Sequence, residues 1–162
     1  MFKTTQRRAM LCALLASCAM TANAGGFFPP EYKTFPFAPG DLLVSKSSKG
    51  KFCVNKVLKV DRVEIQQGKT INIQGQRFVA TETDSLLIVS ESFGADEFDT
   101  FDAAKAAALA GKWSVKLGHA PNRAPGAAAG QTRVGHAAVT DAELSGYQVW
   151  RDAFDKGQAG VF

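Results

Sequence analysis

From residue 41 onward, short apolar runs alternate with turn residues, and this pattern predicts strands. Asp41-Leu42-Leu43-Val44 opens one strand, and Ser47-Ser48-Lys49-Gly50 turns the chain. Phe52-Cys53-Val54 and then 57–65 form a long strand stretch, alternating from Leu58 with one phase slip near Asp61 that reads as a bulge. Gln67-Gly68-Lys69 turns the chain again. Ile71 and Ile73 flank Asn72, and Gln74-Gly75-Gln76 makes a hairpin into Phe78-Val79. Thr83-Asp84-Ser85 leads into Leu86-Leu87-Ile88-Val89, and 113–117 alternates as a further strand. Connections this short favour an antiparallel sheet or a small, partly open β-barrel of about six strands.

Two helices complete an α+β pattern. Thr100 is placed to cap the first, with Asp102 in its opening turn, an alanine-rich body over 103–110 and Gly111 at its end. The second carries a capping box, Thr140-Asp141-Ala142-Glu143, with Val139 and Leu144 set as a hydrophobic staple. Leu144, Tyr147, Trp150 and Phe154 then recur at helical spacing, so one face is apolar and belongs to the core, and Gly157 closes the helix. Between the last strand and this helix, 119–136 is rich in Pro, Gly and Ala and reads as a long contact loop.

The ends carry different signals. Lys3, Arg7 and Arg8 precede an uncharged stretch over 9–20, and Ala22-Asn23-Ala24 supplies small residues. Basic, apolar and small residues in this order read as a secretory signal peptide over 1–24, with cleavage after Ala24. The apolar stretch is too short to span a bilayer. Leu15-Ala16-Ser17-Cys18 also resembles a bacterial lipobox, which implies lipidation and membrane anchoring at Cys18 as the alternative. Residues 25–40 hold four prolines and four phenylalanines, a composition that predicts an extended arm lying across a single globular domain over 41–162.

Export changes the charge argument. The whole chain has 19 cations and 15 anions, but Lys3, Arg7 and Arg8 leave with the signal, so the mature charge is close to neutral. A nucleic-acid partner is therefore not expected. The charge that remains is polarised: eight cations and three anions over 41–80, then one cation and seven anions over 81–110. These segments are expected to face each other or solvent.

Candidate chemistry is sparse. Cys53 is the one cysteine of the mature chain, so no internal disulfide can form. A cysteine nucleophile needs a base, and His119 and His136 are the histidines available. Pro39-Gly40-Asp41-Leu42-Leu43 resembles the opening of papain-like cell-wall peptidases, although Cys53 falls in a predicted strand rather than at a helix N-terminus. His119 and His136 lack the spacing of a metal pair, and the carboxylates Asp96, Glu97, Asp99 and Asp102 lack the calcium-loop pattern. No nucleotide-binding glycine motif is present, and neither cofactor nor metal is expected. The terminal Phe162 resembles the end of outer-membrane barrel proteins, but a helix is predicted where a membrane strand would lie.

These signals lead to a small exported protein of the bacterial cell envelope, periplasmic or secreted, acting as a non-enzymatic binding module for a protein partner. The expected contact residues are Asn122, Arg123, Gln131 and Arg133 of the long loop, with Phe162 of the apolar tail. The alternative is an envelope hydrolase using Cys53 with His119 or His136.

Overall fold

A computed structural model describes residues 26–162. The signal segment, its cut after Ala24 and the lipidation candidate Cys18 lie outside the described residues. Among the described residues, no helix is long and apolar enough to cross a membrane.

The chain is α+β. An open, antiparallel, five-stranded sheet is formed by β1 (Asp41–Lys46), β2 (Phe52–Ile65), β5 (Asp84–Gly94), β6 (Val115–Arg123) and β7 (Gln131–His136), in the order β6-β5-β2-β1-β7. A separate hairpin, β3 (Thr70–Ile73) and β4 (Gln76–Val79), is inserted between β2 and β5. Its turn is built by Gln74 and Gly75, both left-handed at φ 51° and 78°, a geometry that twists in the sense of a two-residue hairpin. Among the described residues, three α-helices accompany the sheets, α1 (Phe101–Leu109), the short α2 (Ala124–Ala128) and α3 (Asp141–Asp155), and the arm expected to be extended makes one 3-10 turn over Pro30–Lys33. The sheet does not close into a barrel, because β6 and β7 remain as its two edges.

Both faces of the central strands are buried. Leu42, Val44 and Val54 meet Ala104 and Ala108 of α1 on one face. Leu43, Val57 and Val89 meet Ala124 and Ala127 of α2 on the other, joined by Phe35 and Phe37 of the arm. The far half of β2 and β5 packs Val63, Ile65, Leu86 and Ile88 against Trp150 and Phe154 of α3, with Phe28 of the arm and Ile71 and Ile73 of the hairpin. The small residues of α1 thus serve close packing, and the apolar stripe of α3 is core.

Local helix signals hold. The Thr100 hydroxyl accepts from the Ala103 amide, and the full capping box of Thr140 and Glu143 forms. The arm is pinned by Asp84, which accepts from the Phe28 amide at 2.8 Å and from Lys33 Nζ at 2.7 Å.

Two expectations are corrected. The register slip in β2 falls between Val57 and Lys59, not near Asp61. The segment 119–136 is not a loop: it comprises most of β6, then α2, then β7. Its prolines fit this structure. Pro121 lies on an edge strand, where a missing amide is tolerated, and Pro125 stands in the first turn of α2.

The C-terminal tail links the two sheets. Val161 donates to Asn72 O at 3.0 Å and accepts from Gln74 N at 2.8 Å, which ties it to the hairpin. Phe162 donates to Pro121 O at 2.9 Å and accepts from Arg123 N at 2.8 Å, which ties it to β6. Val161 is buried. Ending the chain at Gly160 removes these bonds and this side chain, with an expected loss of about 4 kcal/mol of unfolding free energy. Urea unfolding measures it; a loss below about 1 kcal/mol would contradict a structural tail.

Candidate functional site

Cys53 and the two imidazoles occupy separate surroundings. Cys53 is half-buried on β2 opposite Ser45 of β1. Burial pushes its thiol above the ordinary value and Glu97 adds to this, outweighing the opposite pull of Lys49 and Lys116. A nucleophilic cysteine needs the reverse. His119, on β6, lies with Nε2 3.0 Å from the buried Ser90 hydroxyl and packs beside Tyr147 and Trp150. Burial lowers its pKa and so favours the neutral ring. Gly146 of α3 permits this fit, since a Cβ there would stand 2.7 Å from His119 Cβ. His136 lies on β7 with Nδ1 3.4 Å from Asp41 Oδ1. Neither imidazole hydrogen-bonds to Cys53.

The five expected contact residues turn their bonding groups onto their own fold. Asn122 donates to Glu91 Oε2 at 2.9 Å. Arg123 donates to Phe162 O at 3.0 Å and to the Tyr32 hydroxyl at 2.7 Å. Gln131 Oε1 accepts from Asn55 at 3.1 Å, and Arg133 pairs with Asp41 at 2.7 Å. The Phe162 backbone is docked, while its ring remains exposed. The acidic run is also engaged: Asp96 accepts from the Ser114 amide and hydroxyl, Glu97 pairs with Lys49, and Asp99 pairs with Lys51.

Two concavities stand out among the described residues. The smaller, about 210 Å³, lies between β6 and α3 and is lined by Ser92, His119, Glu143 and Ser145. Its carboxylate is taken. Glu143 receives Lys56 Nζ at 2.7 Å and closes the capping box, and these bonds outweigh burial and hold it below the usual carboxylate range. Lys56 is itself buried on β2, so this ion pair fastens the start of α3 to the sheet.

The larger cleft, about 590 Å³, opens where the end of β2, the β3–β4 hairpin and the C-terminal turn of α3 meet. Buried Val63, Ile65, Ile71 and Phe154 form its apolar side. Lys69, Arg77, Arg151 and Lys156 stand around it, against the carboxylates Glu64 and Asp155. Arg151 pairs with Asp155 at 3.0 Å, and Glu64 accepts from Gln66. Lys69, Arg77 and Lys156 have no carboxylate partner among the described residues. Pattern reading missed this cleft, because its cations are exposed, belong to separate elements and form no motif.

No protein-family model, curated protein or solved structure matches this chain. The fold class and the site therefore rest on the chain's own geometry.

Glu91 stands apart from both clefts as the fully buried carboxyl of β5, with Oε1 unpartnered. Burial pushes its pKa up to about 7, against the weaker opposing bond from Asn122. Unfolded, it ionises near 4.5, so the folded chain holds the extra proton between these values. Stability from this proton is present below pH 4.5 and is lost as pH rises through about 7. Glu91→Gln keeps the Asn122 contact and removes the titration. Its stability relative to the parent chain is expected to rise by roughly 3 kcal/mol between pH 4.5 and pH 8. Urea unfolding at both values tests this, and a pH-independent difference would contradict it.

Proposed function

We propose that this chain is an exported, non-enzymatic binding module of the bacterial cell envelope whose ligand occupies the cleft between the β3–β4 hairpin and the end of α3. The export signal is the ordered basic, apolar and small-residue pattern over 1–24. The observation that carries the binding reading is the cleft itself: a concavity of about 590 Å³, within the range of small-molecule sites, with an apolar side and a polar rim. Its walls come from both sheets and a helix, so a ligand there contacts parts of the chain far apart in sequence. Binding rather than hydrolysis is favoured because the Cys53 thiol is pushed up and both imidazoles are held by other groups.

The test is native mass spectrometry of the tagged chain, isolated from the envelope of its own cell. The expected species lacks residues 1–24 and carries a discrete non-covalent adduct. Thr70→Trp, which fills the cleft from a half-buried wall position, should lose the adduct while its melting temperature stays close to the parent's. A bare parent chain, or an adduct that persists in Thr70→Trp, would overturn the cleft reading. A chain carrying two acyl groups on Cys18 would replace the soluble exported form with an anchored one, and a full-length cytosolic chain would overturn export.

A further inference from the structure

We propose that the cleft takes a phosphoryl group, seated among Lys69, Arg77 and Lys156, with the organic remainder of the ligand against the apolar side. This inference rests on the cleft being a binding site and names the chemistry of its occupant. Of the two carboxylates at the cleft, Asp155 is neutralised by Arg151 at 3.0 Å, and Glu64 lies beside Gln66. Three cations remain, one from the β2–β3 turn, one from β4 and one from the end of α3. Other cations without a carboxylate partner among the described residues, such as Lys46, Lys59 and Arg62, lie on separate parts of the surface, whereas these three line one concavity. Around the cleft, three cations on separate elements face the single carboxylate of Glu64, which Gln66 bonds without neutralising, so the concavity keeps a net positive charge that an anion relieves.

The donors fit phosphate oxygens. The Arg77 guanidinium is a planar fork able to hold two oxygens of one phosphoryl group, and the two lysines act as point charges beside it. Thr70 and Asn72 stand in the same wall as neutral hydrogen-bonding groups. The C-terminal end of a helix would ordinarily repel an anion. Here Gly157 N donates to Phe154 O at 2.9 Å and Gln158 N to Ala153 O at 2.8 Å, so two of the last carbonyls are already bonded. The volume of about 590 Å³ exceeds what an inorganic phosphate fills. The apolar side, Val63, Ile65, Ile71 and Phe154, suits a phosphate ester carrying a hydrocarbon or ring.

A phosphoryl group of this kind belongs either to a soluble ester or to a lipid headgroup, and the two sources separate by experiment. The processed chain is titrated calorimetrically with inorganic pyrophosphate and with glycerol 3-phosphate. It is also sedimented with phosphatidylcholine vesicles with and without phosphatidylglycerol. Binding in either soluble arm that weakens as salt is raised supports a soluble ester, and binding confined to phosphatidylglycerol vesicles supports a headgroup. In either case Arg77→Glu and the milder Arg77→Gln should weaken binding about tenfold or more. Lys105→Glu on α1, away from the cleft, changes net charge equally to Arg77→Glu and should leave binding unchanged. Melting temperatures of all variants confirm folding. Silence in every arm overturns the proposal, as does an equal loss in Lys105→Glu. If the cleft reading holds and only the phosphoryl assignment fails, an adduct lost in Thr70→Trp coexists with silent arms.

Discussion

The structure depends on β2 being buried on both faces. Its first half is paired with β1, and most of its length with β5. Val54, Asn55, Lys56, Val57 and Leu58 are all buried in succession, so neither face of this segment meets water. Such a strand needs cover on two sides, and the chain provides it with α1 and α3 on one face and with α2 and the phenylalanine-rich arm on the other. The polar residues in this run are admissible because each is bonded. Asn55 donates to Ser45 and Gln131, and Lys56 reaches Glu143 and Ala138 O. The Lys56–Glu143 pair therefore couples the sheet to the helix whose other end forms a wall of the large cleft.

That cleft exists because the second half of β2 outruns its first partner. β1 begins at Asp41, and Leu42 stands opposite Lys56, so beyond Lys56 the strand continues without β1, and there Ile71 and Ile73 of the inserted hairpin pack with Val63 and Ile65. Ile71, Ile73, Trp150 and Phe154 close the core there, and the tail fastens the hairpin to β6 through Val161 and Phe162. The Trp150 indole donates to Gly160 O at 2.9 Å, which sets the tail against α3. A concavity bounded by a hairpin, a strand end and a helix end holds its shape only while these ties hold.

Elements specified locally were legible in the sequence. Thr140 and Glu143 satisfy each other within one turn, and Gln74-Gly75 sets a two-residue hairpin, so neither depends on distant partners. Elements specified by distant pairing were not. The continuous burial of 54–58 removes the alternation from which a register slip is read, and the bulge between Val57 and Lys59 was displaced to Asp61 for that reason. β6 and β7 carry Pro, Gly and Ala, and only their pairing with β5 and β1 makes them strands. The charge polarity was legible as far as the pairs of Lys49 with Glu97 and Lys51 with Asp99. It did not show that Lys69 and Arg77 of the same basic half are left over, to be joined by Lys156 from almost the end of the chain.

The proposed recognition site lies at the far end of β2, apart from Cys53, His119 and the edge strands, which pack into the fold. Amide hydrogen exchange of the chain from residue 25 onward, with and without a saturating amount of whichever phosphoryl probe binds it, tests this directly. Slowed exchange confined to the hairpin, over 69–79, and to the end of α3, over 154–158, is the expected result. Slowing centred on 115–119 and 142–146, or no change at any amide, would contradict it.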